Sequence, residues 1–495
     1  MHKIFATSAC LVLILSLTAC SSAVSTEESP AAQWSNVTES SELFELSELS
    51  ELSESSETSE ASETSASPSW TNTTEESEKA PDPIPVFVLQ PTIEETVLFE
   101  QDGIRITAKD LTYKNSRAVL RLLLENETAK ELSFYSNTLA YSCNSVNGHM
   151  FSYGYINEDV AAGSSMETTI YIPGDELSLY RITDIADLEL GFKITGEDNF
   201  ELETGPCPLQ TSLSDSYDYS IVSFQEGIQE PRNLYDYGYQ IISQAAEEIY
   251  NQLDLLIRAE SILTTEDGET VINLEVENQG TEMKNLTLGD ISVNGIIVES
   301  GNWTSQTINP GKTGSLNLVI NNLLDQSVWE ATGIDTFSSI AFGLTQKDAQ
   351  FNTIADQEYI SLTLASDAGF TPGTEIYRDD YIAVYKQGIL PDESEYDDDY
   401  HIILVYENLT DQELTITSPY DGFSINGSSE AQASTPWIAL PAESFLLDDM
   451  RVYSYSFEDI GIANWDDVSE ATLTIEIKNT DSFNTLEETT LQILP

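Results

Sequence analysis

The sequence is short of most groups on which common chemistries depend. Its 495 residues hold four Cys and three His, which limits zinc and thiol chemistry from the start. Lys and Arg number 19 against 85 Asp and Glu, a formal charge of −66. Nucleic-acid partners require a basic face, so this charge argues against them. It argues equally against docking on anionic headgroups. Gly-x-Ser-x-Gly, Ser-x-x-Lys and His-Glu-x-x-His are all missing, so the usual hydrolase signatures are absent. No catalytic residue, metal ligand or cofactor site is expected. What is present is a hydrophobic fraction of 40%, enough to build folded cores.

The N-terminus has a distinct grammar. Met1, His2 and Lys3 make a short basic start, and Ile4 to Leu17 is an apolar run broken only by small residues. That run falls short of the ~20 residues that span a bilayer. It ends in Leu17-Thr18-Ala19-Cys20, small residues before a cut site, as in a secretory signal peptide. The ending resembles the lipobox of bacterial lipoproteins at all four positions. The resemblance implies that residues 1–19 are removed with Cys10, and that Cys20 carries a diacylglycerol thioether. The expected location is the extracytoplasmic face of the cell membrane, held by acyl chains rather than by a helix.

Residues 20–90 read as a disordered spacer. Between 21 and 90 there are 18 Ser and 14 Glu, and Glu recurs at every third position from Glu42 to Glu63. Such a segment cannot bury enough apolar surface to offset its ordering entropy. As a flexible coil, 70 residues would span ~45–50 Å. Most of the charge lies elsewhere: from residue 91 onward 70 acids face 17 bases, a net of −53. Domains so charged should stay monomeric by mutual repulsion.

Beyond the spacer, one pattern is written three times. Glu125-Asn126, Val146-Asn147-Gly148 and Ala162-Gly163 mark the first unit. Glu277-Asn278, Val293-Asn294-Gly295 and Pro310-Gly311 mark the second. Glu407-Asn408, Ile425-Asn426-Gly427 and Pro441-Ala442 mark the third. Short alternating runs between turn signals predict strands, such as Ala118 to Leu124 and the hairpin around Asp267-Gly268. The predicted fold is all-β, three tandem two-sheet β-sandwich domains at 91–212, 253–370 and 371–495. Residues 213–252 form a Tyr-rich linker. Within it Ala245, Ala246, Ile249 and Leu253 are spaced for one face of a short helix; the segment either links the first two domains or adds an edge strand and that helix to the second.

This layout resembles the tandem immunoglobulin-like domains of surface lipoproteins of Gram-positive bacteria, many of them of unknown function. It departs from antibody domains, because no Cys…Trp…Cys framework recurs. The resemblance implies a fold and a cell-surface setting and carries over no catalytic residue.

Remaining candidates each have a plainer reading. Cys143 and Cys207 are a candidate disulfide, which would close a loop in the first domain. Gly311-Lys312-Thr313 looks like the end of a phosphate loop, yet position 306 is Gln and the tripeptide falls on a turn of the repeat. His149 lies close to Cys143 in sequence and reads as a solvated loop residue. The acidic groups Asp379-Asp380, 392–399, Asp448-Asp449 and Asp466-Asp467 lack the spacing of a calcium loop. Trp303, Trp329, Trp437 and Trp465 fit packing, or a sugar-stacking platform. The expectation is a non-catalytic envelope interaction or adhesion module with a protein partner. The alternatives are a carbohydrate- or small-ligand-binding lipoprotein and, last, an extracellular hydrolase.

Overall fold

In the computed structural model, residues 80–136, 144–266, 268–364, 369–392 and 398–494 are described. They fold as all-β, in three successive two-layer sandwiches. Cys20, Cys143 and Asp267 lie outside the described residues.

The first sandwich contains β1 (Thr96–Gln101), β2 (Ile104–Lys114), β3 (Arg117–Asn126), β4 (Leu132–Ser136), β5 (Asn144–Val146), β6 (His149–Phe151), β7 (Ile156–Val160), β8 (Ser164–Pro173), β9 (Asp187–Leu190), β10 (Phe192–Gly196), β11 (Phe200–Glu203) and β12 (Cys207–Gln210). One layer has the order β1-β2-β3-β8. The other consists of β11-β10-β4-β7 and β12-β9-β5-β6. The alternation of β3 explains its place: Ala118, Leu120, Leu122 and Leu124 point inward and are fully buried. Each buried Leu contributes ~1.5–3 kcal/mol relative to exposure.

The second and third sandwiches repeat this order, the second with longer strands. The second has β13 (Tyr239–Gln252), β14 (Leu255–Thr265), β15 (Thr270–Asn278), β16 (Lys284–Val293), β17 (Ile296–Ile308), β18 (Thr313–Val319), β19 (Ser339–Lys347) and β20 (Thr353–Thr363). Its layers are β13-β14-β15-β18 and β20-β19-β16-β17. The third has β21 (Thr374–Arg378), β22 (Ile382–Pro391), β23 (Tyr400–Asn408), β24 (Leu414–Thr417), β25 (Phe423–Ile425), β26 (Trp437–Leu440), β27 (Phe445–Val452), β28 (Ala471–Asn479) and β29 (Thr485–Leu494). A helix crosses between layers in each unit: α1 (Gly174–Ser178), α4 (Gln326–Thr332) and α5 (Phe457–Ile460). Between α1 and α4 in sequence lie α2 (Phe224–Gly227) and α3 (Pro231–Tyr237).

The sequence landmarks are side-chain clips. Asn126, Asn278 and Asn408 are buried. Asn126 Nδ2 donates to Lys130 O and Val160 O, Asn278 Nδ2 to Glu282 O and Ile308 O, and Asn408 Nδ2 to Gln412 O and Leu440 O, all at 2.8–3.0 Å. Each ties a loop to the end of a strand in the opposite layer, satisfying carbonyls that would otherwise be buried unpaired. Asn147, Asn294 and Asn426 turn the chain with φ of 47°, 52° and 51°. Asn tolerates this left-handed backbone. Their side chains bond the segment entering β9, β19 or β28, through Asp184 O, Thr336 O and Asp467 O respectively.

Two boundaries shift. Phe87 is buried in the first core, and Phe87 N–H donates to Thr183 O at 2.6 Å, so ordered chain begins inside the segment read as spacer. The helix expected around Ala245 to Leu253 is instead β13, an edge strand of the second sandwich antiparallel to β14. Register shifts at Ile241/Ser243, Gln244/Glu247 and Glu248/Tyr250 each insert a residue. Such bulges break the period of two and mimic helical spacing.

The sandwiches join head to tail by one rule. After the Asn-Gly turn, the next strand runs parallel to the strand that precedes the crossing helix of the following unit. His149 thus pairs with Thr313 (β6 with β18), while Ile296 and Ile297 pair with Phe445 and Leu446 (β17 with β27).

Candidate functional site

The face most open to a partner is on the third sandwich. On β24, β26 and β28 the inward residues Ile416, Ile438, Leu473, Ile475 and Ile477 fill the core. The alternate residues therefore point out. Trp437 stands opposite Thr417, which stands opposite Glu476. Thr417 Oγ1 donates to Glu476 Oε2 at 3.2 Å, and Lys478 Nζ lies 2.9 Å from the same oxygen. That Lys478 contact holds the Glu476 carboxyl below the usual range, so it stays ionised. Thr415 and Thr480, and Thr474 and Thr490, pair through their hydroxyls.

Trp437 is 75% exposed and its ring lies 6.4 Å from that of Phe483, also exposed. β26 is an edge strand; among the described residues no other strand pairs with its outer side. Nearby a groove of about 590 Å³ runs past Tyr420, Gln432 and Tyr453, and Tyr420 is fully exposed. An exposed indole on a sheet can stack on an apolar ring face while a carboxylate such as Glu476 meets a polar edge. An unpaired strand edge can also accept an extended peptide.

The other tryptophans divide. Trp329 is buried, with Nε1 donating to Asn321 O at 3.0 Å, and it meets Phe337 edge-on at 5.3 Å. Trp465 packs on Tyr400 and Phe457. The Trp303 side chain lies outside the described residues. Phe483 and Tyr420 had no signal in the sequence, since only the sheet brings Phe483, 46 positions away, beside Trp437.

Cys207 is buried in the first core, its Sγ 3.5 Å from Thr204 Oγ1, and burial pushes its thiol pKa up. Its proposed partner Cys143 is not among the described residues. His149 is not a solvated loop residue. It is buried at the first junction, with Nδ1 3.2 Å from Thr313 Oγ1 and its ring 4.0 Å from Tyr180. Burial lowers its pKa to about 3, so it is neutral. Gly311-Lys312-Thr313 sits on the turn facing that junction, with Lys312 Nζ 3.0 Å from Glu189.

Several carboxylates of the acidic groups are engaged internally. Asp379 Oδ1 caps Tyr381 N–H and Ile382 N–H at 2.7 Å. Asp467 Oδ2 accepts from Ala463 N–H. Against the cost of burial, Ser454 N–H and Arg451 hold Asp399 below the usual carboxylate range. His401 Nδ1 lies 2.7 Å from Asp449, which raises the imidazole pKa. Asp448 keeps a little exposed surface, but its Oδ2 is sealed from solvent without a hydrogen-bond partner. Burial, with Asp449 adjacent, pushes the Asp448 pKa up to about 7. Among the described residues, no group of three or more His, Cys, Asp or Glu is arranged to hold a metal ion. No helix there is long and apolar enough to cross a membrane.

No family model and no curated protein matches the sequence. Among solved structures the chain is similar to one from a study of host cell surface retention of a 1.5-MDa bacterial ice-binding adhesin, at 12% identity over 76% of this chain and 88% of that one, with a TM-score of 0.14. It is also similar to red sea bream transglutaminase, at 10% identity over 61% and 40%, with a TM-score of 0.14. Amycolatopsis orientalis exo-chitosanase shares 5% identity over 81% and 79%, with a TM-score of 0.16. Overlaps this low carry no argument about function.

Proposed function

We propose that this is a non-catalytic, lipid-anchored protein of the extracytoplasmic cell surface, acting as an envelope interaction or adhesion module. Cys20 would carry the anchor, as its match to the lipobox implies. The third sandwich, at the opposite end of the sequence, would meet the partner. The observation that carries the reading is Trp437, 75% exposed on an edge strand beside Phe483. Large exposed aromatics grouped on one face mark interaction surfaces. A protein partner adding a strand to β26 is the first choice, because among the described residues no strand pairs with that edge.

Glu476, partly exposed two strands from the indole, favours a second reading, a glycan stacked on Trp437. Two assays separate them. The full chain and its Trp437→Ala variant are compared on a glycan array and in crosslinking to intact cell-surface preparations. Under the protein reading, the substitution weakens crosslinking at least tenfold and the array stays blank. Under the glycan reading, the array gives signals that the variant loses. Unchanged binding in both assays removes the site. Turnover of a glycan or peptide that stops on one carboxylate substitution overturns the non-catalytic assignment.

A further inference from the structure

The first and second sandwiches differ at one end, where the hairpin of the first layer meets the crossing helix. In the first sandwich that end is closed by chain from before β1. Phe87 enters the core, its ring 5.1 Å from Tyr113, and Val86 and Phe87 pack where Gly174 has no side chain. Phe87 N–H bonds Thr183 O, and Leu89 N–H bonds Asp184 Oδ1 at 3.0 Å. A bent apolar segment, with Phe87 at φ 54° and Gln90 at φ 46°, is thus seated by one ring and two backbone donors.

The same place in the second sandwich is a groove of about 1380 Å³. The equivalence is set by the Asn clips: Asn147 bonds Asp184 O and Asn294 bonds Thr336 O. Asp335 therefore holds the position of Thr183, and it lines the groove. The groove is open because chain enters β13 from α3 on the other side, where Tyr237 and Tyr239 pack with Leu263 and Val271. Its floor includes Trp329, Ile334 and Phe337; its rim carries Glu269, Asp325, Glu330 and Asp335. No Lys or Arg is among the described residues that line it.

We infer that this groove binds an extended peptide segment of a partner protein, carrying an aromatic residue between basic ones. The ring takes the position that Phe87 fills in the first sandwich, and the basic residues meet the four rim carboxylates. Charge complementarity selects this occupant: an acidic segment would be repelled by the rim.

The test uses the full chain and two labelled, end-blocked pentapeptides, Lys-Val-Phe-Val-Lys and Glu-Val-Phe-Val-Glu, followed by fluorescence anisotropy. The basic peptide should bind saturably, one per chain, and at least tenfold more tightly than the acidic one. Asp325→Lys with Glu330→Lys, both exposed positions, should weaken the basic peptide at least tenfold and favour the acidic one. The Trp437→Ala chain should bind like the parent, which keeps this site distinct from the face on the third sandwich. Absence of saturable binding, equal binding of both peptides, no response to charge reversal, or loss on Trp437→Ala would each overturn the inference.

Discussion

The two junctions obey one pairing rule and use different chemistry. Between the second and third sandwiches the contact is apolar. Ile403, Val405 and Leu447 of the third join the core of the second, while Ile297 of the second lies in the core of the third. Between the first and second, the paired residues are His149 and Thr313, flanked by the Lys312–Glu189 ion pair. Among the described residues, Met150 alone of the first sandwich reaches the core of the second. This junction is reinforced by α2 and α3, whose Phe224, Ile228 and Leu234 pack between Leu179 and Leu263. Asn233, also buried, bonds Ser178 O and Gly227 O. A shared core makes one pair of sandwiches a single cooperative body. A clamp of polar pairs and short helices makes the other separable.

The largest effect should come from the shared core. Ile403→Ala removes a fully buried side chain and should cost about 2–5 kcal/mol. Urea unfolding should show the second and third sandwiches losing stability together. A loss confined to the third would break the contrast.

A smaller effect is expected at the clamp. A Cβ on Gly227 would lie 2.1 Å from Leu179 O, a backbone atom that cannot swing away. Gly227→Ala should therefore lift α2 from the first sandwich at about 1–3 kcal/mol. Limited proteolysis should then cut within 213–237, leaving the second and third sandwiches joined. Resistance equal to the parent chain would show that α2 and α3 are not the clamp.

Much of the fold was legible because its clips are written in single residue types. Asn126, Asn278 and Asn408 each need an amide that both donates and accepts, and Asn147, Asn294 and Asn426 need a left-handed turn as well. Those demands leave repeated letters. β13 has no strand signature in sequence because bulges disrupt alternation, and Phe87 has none because one aromatic in Pro-rich chain carries no periodic signal. The junction role of His149 was hidden too, since its partner Thr313 is 164 positions away. At the candidate face, Trp437 was visible as a residue type. Its exposure was not, because Trp329 and Trp465 look the same in sequence and are packed.

Scanning calorimetry of the full chain at pH 7.5 and pH 5.0 tests the contrast most directly. His149 has its folded pKa depressed to about 3 by burial. Its unfolded form takes up a proton below about 6.5, so its contribution to stability falls as pH drops from there toward 3. At pH 5 the loss is about 2 kcal/mol, carried by the first junction. Groups in the third sandwich respond the other way, as do Asp184 and Glu203 in the first and Glu260 in the second, whose folded pKa values burial raises. His401 and Asp448 have raised folded pKa values, and their contributions, lost as pH rises, return on acidification. At pH 5.0 the first sandwich should therefore melt as a separate, earlier transition, with the second and third still melting together, and His149→Gln should remove that separation. Coupled melting of all three at pH 5.0, or a third sandwich that separates first, would contradict it.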